Sequence, residues 1–265
     1  MKKVSAIVLA ILATTTAALA QQKDSVTTAK RPVQVPAAPA PVNPAPAKKD
    51  WSKVTLARRA NDHFMFQFGY PSWAGATDSM HIRGWNRSAN FYFMFDFPFK
   101  TDPRFSVGAG LGLGTSNIFF SKQEVLVASL SNTTLAFPSE DNANHYKKYK
   151  LVNTYLEAPV ELRFALDPEN TNKSWKFAAG VKVGLMMTAY TKGKTLVNNV
   201  GQTIASVTVK NYSKQYFNSS RLAGTLRVSK GVIGLYGQFQ VNGLLKPSAG
   251  PAVFPFEFGL SLSGL

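Results

Sequence analysis

From Asp62 onward the chain reads as eight stretches in which apolar and polar side chains alternate with period two. That period puts successive side chains on opposite faces of an extended strand. The second stretch is the clearest: Phe91, Phe93, Phe95, Phe97 and Phe99 alternate with Tyr92, Met94, Asp96 and Pro98. The first sets Phe64, Phe66, Phe68 and Tyr70 against Met65, Gln67 and Gly69, and the third sets Phe105, Val107, Ala109, Leu111 and Leu113 against Ser106 and a run of alternate glycines. The remaining five centre on residues 155–164, 175–185, 221–228, 233–241 and 254–263.

One face of each strand is greasy and often aromatic, and the opposite face carries Asp, Glu, Arg, Lys and Gly. Beyond residue 20 there is no run of about 18 apolar residues, so no transmembrane helix is predicted. A chain that meets lipid without such a helix must close its backbone hydrogen bonds as a barrel. The spacing of the strands agrees. Connections between strands two and three, four and five, and six and seven are short and rich in turn residues (KTDP, DPENTNK, SKG). The others, roughly 72–88, 116–149, 191–217 and 243–252, are longer. Alternating short and long connections predict an all-β, eight-stranded antiparallel up-and-down transmembrane β-barrel, with both termini in the periplasm and the long loops outside. VLVASLSNTTLAF and TIASVTVKNY, inside two long loops, are β-prone and predict hairpins rising above the membrane. Trp73, Trp85, Tyr149, Tyr190, Tyr212 and Tyr216 fall where an outer aromatic belt belongs, and Phe64, Phe97, Phe99, Phe105, Phe164, Trp175 and Phe254 where an inner one does.

The first 20 residues read as an export signal, with Lys2 and Lys3 ahead of an apolar run and Ala18-Leu19-Ala20 at the cleavage site. Residues 21–60 read as a periplasmic basic Pro/Ala-rich linker; at roughly 3.1 Å per residue its segment 31–48 would reach about 55 Å as polyproline II. Residues 51–60 predict a short basic helix, and residues 61–265 the barrel. The chain has no cysteine, hence no disulfide and no lipoprotein anchor. Its net charge of +16 divides into about +2 on the signal, +6 on the linker and +8 on the barrel. Export makes nucleic acid a poor partner for this charge. Outer-membrane lipid and lipopolysaccharide are the expected partners of the barrel, and a periplasmic or cell-wall polymer that of the basic tail. The sequence carries no signal for an oligomeric state.

The runs FYFMFDFPFKTDPRFSVGAGLGLGTSNIFF, KYKLVNTYLEAPVELRF and DPENTNKSWKFAAGVKVG, and the ending PFEFGLSLSGL, resemble the outer-membrane β-barrel family that includes the PorT-like accessory barrels of type IX secretion. The resemblance spans residues 61–265 and is most specific at YLEAPVEL, where Tyr155, Glu157 and Pro159 follow the family spacing. It implies an eight-stranded barrel in the outer membrane and no single activity.

An eight-stranded barrel has an interior just wide enough for side chains to fill. Strand parity places Asp96, Glu157, Glu161, Arg163, Lys176, Lys182, Arg221, Arg227 and Glu257 there. Charges of both signs in so narrow a space are expected to pair as a structural plug. The glycines of strand three leave room that Tyr92, Glu161 and Arg163 are placed to occupy. His63, His81 and His145 are the only histidines. Neither His81 with Asp78 and Ser79, nor His145 with Glu140, Asp141 and Asn142, has the spacing of a hydrolytic or metal-binding set. No enzyme, cofactor or metal is expected. The expected function is a small outer-membrane barrel with a structural or interaction role, presenting its loops outside and its tail inside. The alternative is an accessory component of a secretion or uptake machine, with weaker signals for a lipid-active surface enzyme or a narrow channel.

Overall fold

A computed structural model describes residues 50, 63–129, 132–139 and 144–264. The expected export signal, nearly all of the linker and its short helix, and the Glu140–Asp141 pair beside His145 lie outside the described residues.

Nine strands are described: β1 (Phe64–Ala74), β2 (Arg87–Pro98), β3 (Phe105–Phe120), β4 (His145–Ala165), β5 (Trp175–Val197), β6 (Thr203–Tyr212), β7 (Ser220–Lys230), β8 (Ile233–Gln240) and β9 (Phe254–Ser263). Eight of them close into an antiparallel barrel in the order β1-β2-β3-β4-β5-β7-β8-β9, with β9 pairing back to β1. The ninth, β6, pairs only with the upper part of β5. β1 begins and β9 ends at the same rim, where Met65 stands opposite Ser263. That rim also holds the three short turns.

Those turns follow from their residues. At Lys230-Gly231-Val232-Ile233 the two-residue connection has φ of 62° at Gly231, a left-handed value that a hairpin this tight needs and that glycine adopts without strain. Between β2 and β3, Asp102 accepts the Arg104 backbone N–H at 3.1 Å and the Arg104 guanidinium through Nε and Nη2 at 2.9 and 2.6 Å. In the β4–β5 turn Asp167 accepts backbone N–H groups of Glu169 and Asn170.

A tilted strand needs about 9–11 residues to cross a bilayer. β2, β7 and β9, of 12, 11 and 10 residues, are of that length, whereas β3, β4 and β5 have 16, 21 and 23. The excess rises beyond the long-loop rim, and with β6 it forms a sheet standing above the barrel. TIASVTVKNY thus makes the projecting hairpin its composition predicts. VLVASLSNTTLAF does not project. Its Val125, Val127 and Leu135 are buried in the barrel mouth, because they are apolar and a free hairpin would leave both its faces wet.

The wall has the expected sidedness. Phe91, Phe93, Phe95, Phe97 and Phe99 are 38–58% exposed on the outside, whereas Tyr92 and Met94 on the same strand are fully buried. Three residues expected in the outer aromatic belt are corrected: Trp73, Tyr149 and Tyr216 are buried inside the mouth, while Trp85 and Tyr212 are exposed. Trp73 on β1 and Tyr149 on β4 share the inward parity of Met65 and Glu157, whereas Tyr216 lies in a loop, where alternation carries no information.

Candidate functional site

The interior of the barrel is the candidate site, and it is filled in two layers. The lower layer is ionic. Asp96, Glu157, Glu161, Arg163, Lys176, Lys182, Arg221, Arg227 and Glu257 all point inward, and all but Asp96 are buried. Each is placed by the period-two geometry of a strand whose other face carries aliphatic or aromatic residues.

Glu157 is the hub. It accepts hydrogen bonds from the Tyr92 hydroxyl at 2.5 Å and from Arg221 Nη1 at 2.7 Å, and Lys182 Nζ lies 3.3 Å away. Lys182 donates to the Tyr92 hydroxyl at 2.6 Å and to Gln238 Oε1 at 2.7 Å, and it sits over the Tyr92 ring. Gln238 passes the network to Glu257, which also accepts from Asn90 and from the Tyr236 hydroxyl. Nearer the short-turn rim, Glu161 accepts from Arg227 Nη2 at 2.7 Å and Arg163 Nε at 3.1 Å, and Arg163 reaches Asp96 at 3.5 Å. Lys176 lines a cavity of about 20 Å³ with Asp96, Ser106, Arg163 and Arg227, room for roughly one water.

The glycines explain how such long side chains fit. Along one register row Tyr92, Gly112, Glu157, Gly184 and Arg221 stand side by side on five consecutive staves. Tyr92 crosses Gly112 to reach Glu157, and Arg221 crosses Gly184 from the other side. A Cβ on Gly112 would lie 2.0 Å from the Phe91 carbonyl oxygen and 2.6 Å from the Tyr92 ring. Lower down, Arg163 lies across Gly108, where a Cβ would fall 2.5 Å from its guanidinium carbon. Large and absent side chains therefore alternate along this row of five staves.

The upper layer is apolar and was not legible as part of the lumen. Ile118, Phe120, Leu151, Tyr155 and Met186 continue the inward faces of β3, β4 and β5 toward the long-loop rim, where they meet Val125, Val127, Leu135, Tyr216, Phe217, Leu244 and Leu245 from the loops. The available signal was the inward parity itself, which runs without a break from Glu157 through Tyr155 to Leu151 and Tyr149. The Tyr216 hydroxyl shares its proton between the carbonyls of Ser129 and Asn132 at 2.9 and 2.8 Å, and the Leu135 N–H bonds the Ala249 carbonyl at 2.7 Å. Tyr216→Phe is expected to cost about 1 kcal/mol and to speed amide exchange across 125–137 while the barrel strands stay protected. Unchanged exchange there would mean that this hydroxyl does not hold the loop.

Glu124, at the margin of this cap, is half-buried, and burial raises its carboxyl above the usual glutamate range. A raised carboxyl stabilises the packed loop below its unfolded pKa, and that contribution is lost as pH rises through the folded value. Amide protection of 124–127 is accordingly expected to fall as pH rises from acid toward neutral, and Glu124→Gln is expected to flatten the profile.

The histidines lie apart from the ionic layer. The His63 ring stacks on Phe93, and the His81 backbone N–H donates to Gln123 while its carbonyl accepts from Ser121. Among the described residues no three His, Asp or Glu side chains are grouped to hold a metal.

The sequence profile described as "outer membrane protein beta-barrel domain" matches residues 61–248. No protein of curated function matches the chain. Among solved structures, the attachment invasion locus protein Ail of Yersinia pestis, determined with the heparin analogue sucrose octasulfate, aligns at 8% identity over 76% of this chain and 95% of its own, with a TM-score of 0.29.

Proposed function

The chain belongs to the outer membrane protein β-barrel domain family, and from that premise we propose that it is a closed scaffold, serving a structural or interaction role rather than conducting solute. The observation that carries this reading is the filled interior. A continuous path would have to pass both the Glu157 and Glu161 networks and the apolar cap, and cavities beside the Glu161 and Glu157 networks measure about 20 and 10 Å³. The second is at the lower limit of what a single water needs.

In this reading the short-turn rim and both termini face the periplasm, and β3–β6 with their loops stand outside in contact with outer-leaflet lipid and lipopolysaccharide. The linker 21–60 then carries its positive charge toward the cell wall. A rigid barrel positions such surfaces, and the interacting chemistry lies in them.

Full-length protein folded into planar bilayers is expected to give no stable conductance, to show heat-modifiable mobility on gels, and to be cleaved in intact cells by added protease only at the long loops. A large steady conductance, or cleavage at the short turns in intact cells, would overturn the assignment.

A further inference from the structure

Above the apolar wall, one side of the barrel carries cations with no matching carboxylate among the described residues. On β3, β4, β5 and β6, Phe119, Lys150, Lys192 and Lys210 stand directly opposite one another in a single register row. Arg87 at the start of β2 joins them beside Phe119, since Arg87 and Lys150 each lie 5.7 Å from the centre of that ring. The carboxylates of β2–β6 are Asp96, Glu157 and Glu161, and all three point into the lumen. Among the described residues none of these four cations is ion-paired. Lys150 donates instead to Asn117 Oδ1 at 2.6 Å, is partly desolvated, and is repelled by Lys192, Arg87 and Lys210.

Such a cluster is costly to the protein alone, because like charges opposite one another across strands destabilise the sheet. A bound anion removes the cost. Which anion is indicated by the order of the rows below. Leu113, Leu156 and Leu185 face outward in one row, Thr115, Thr154 and Thr188 in the next, then Asn117, Val152, Tyr190 and Tyr212, and then the lysines. Hydrocarbon, hydroxyl, aromatic and cation follow in the sequence in which a leaflet presents acyl chains, ester region and charged headgroup. Lys210 also lies over the Tyr190 ring, which holds its stem against the wall.

We infer that the row Lys150, Lys192 and Lys210, with Arg87, binds the phosphate groups of a phosphorylated glycolipid in the surrounding outer leaflet. This rests on the outer-membrane reading above and names the partner of the projecting sheet. The ridge lies on the lipid side of the wall, so its ligand arrives laterally with its acyl chains against the leucine row.

The test uses full-length protein in zwitterionic detergent, titrated with bisphosphorylated lipid A and, separately, with lipid A stripped of its phosphates, the adducts being read by native mass spectrometry. Each lysine near an anionic headgroup is worth roughly fivefold. The variant carrying Lys150→Gln, Lys192→Gln and Lys210→Gln is therefore expected to bind phosphorylated lipid A about a hundredfold more weakly, and both proteins are expected to bind the stripped lipid equally poorly. Added salt should weaken the wild-type interaction only. Equal affinity of the triple variant for phosphorylated lipid, or equally tight binding of stripped lipid by the wild type, overturns the inference. So does a substitution-sensitive affinity for soluble dextran sulfate without one for lipid A. Heat-modifiable mobility separates the two levels: a wild type that never forms a compact barrel removes the outer-membrane reading, whereas two folded proteins of equal affinity remove only the ridge.

Discussion

Glu157→Ala is expected to lower the unfolding free energy of the barrel by about 3–5 kcal/mol, because it strands buried cations rather than merely deleting a contact. Arg221 and Lys182 are 5% and 2% exposed, and Glu157 is the carboxylate nearest to both. Without it Lys182 keeps Gln238 and the Tyr92 hydroxyl, while Arg221 keeps the face of the Tyr155 ring at 5.1 Å. None of the three is a counter-charge, and Glu257, which also acts on Arg221, is already bonded to Gln238, Asn90 and Tyr236. The partners identify the cause: replacing a whole buried ionic triad by apolar groups is often near neutral, so Glu157→Leu combined with Arg221→Met and Lys182→Met should recover much of the loss. Urea unfolding in phospholipid vesicles, followed by heat-modifiable mobility, provides both numbers. A loss below about 1 kcal/mol for the single variant would place the pair in the class of solvated surface ion pairs and would contradict a filled lumen.

Gly112→Ala is expected to be comparably damaging, at or above the top of the roughly 1–3 kcal/mol that overpacking usually costs. The added Cβ would meet the Phe91 carbonyl oxygen at 2.0 Å, and that oxygen belongs to the β2 backbone. No rotamer change relieves it, so β2 and β3 must part or Tyr92 must leave its path to Glu157. Trimming Tyr92 to alanine in the same chain should therefore not rescue folding. Gly224 supplies the contrast, since a Cβ there meets nothing within 4 Å and points outward from β7. Gly224→Ala is expected to be neutral or to stabilise by about 0.4–1 kcal/mol through the unfolded chain. Similar losses at both positions would show that the effect is one of glycine in strands generally and not of the alley that Tyr92 crosses.

Much of the wall was legible because side-chain period is a local property of extended backbone. The phenylalanines of β2 and the glycines of β3 declare their faces within a dozen residues, and short turns such as Asp102-Pro103-Arg104 declare the strand order by their length. From those, parity alone nominated the inward charges, and their positions along each strand place them inside the barrel. What parity could not reveal was which charge meets which. Glu157 and Arg221 are 64 residues apart and come within 2.7 Å only because Gly184 brings β4 and β7 into one row across β5.

The mouth escaped sequence reasoning for a related reason. Tyr149, Trp73 and Tyr216 are aromatic residues near strand ends, a description that fits a membrane belt and an internal cap equally well. β5 adds an irregularity of its own: Thr154 pairs with Thr188 and Tyr155 with Met186, so Met187 is an extra residue that reverses the parity above it. That reversal turns Ala189 and Thr191 inward and Tyr190 and Lys192 outward, so that Ala189 joins the cap and Lys192 the basic ridge.

The sequence by itself determined that extended strands, each with one face suited to lipid, would be joined by alternating short and long connections, because period-two chemistry and turn residues act within a few positions. Only the tertiary structure decided that the lumen is an interlocked ionic layer under an apolar cap and that three lysines share one outer row. Those outcomes depend on register between strands distant in the chain, which is set by closure of the barrel and by the glycines and the bulge that allow it.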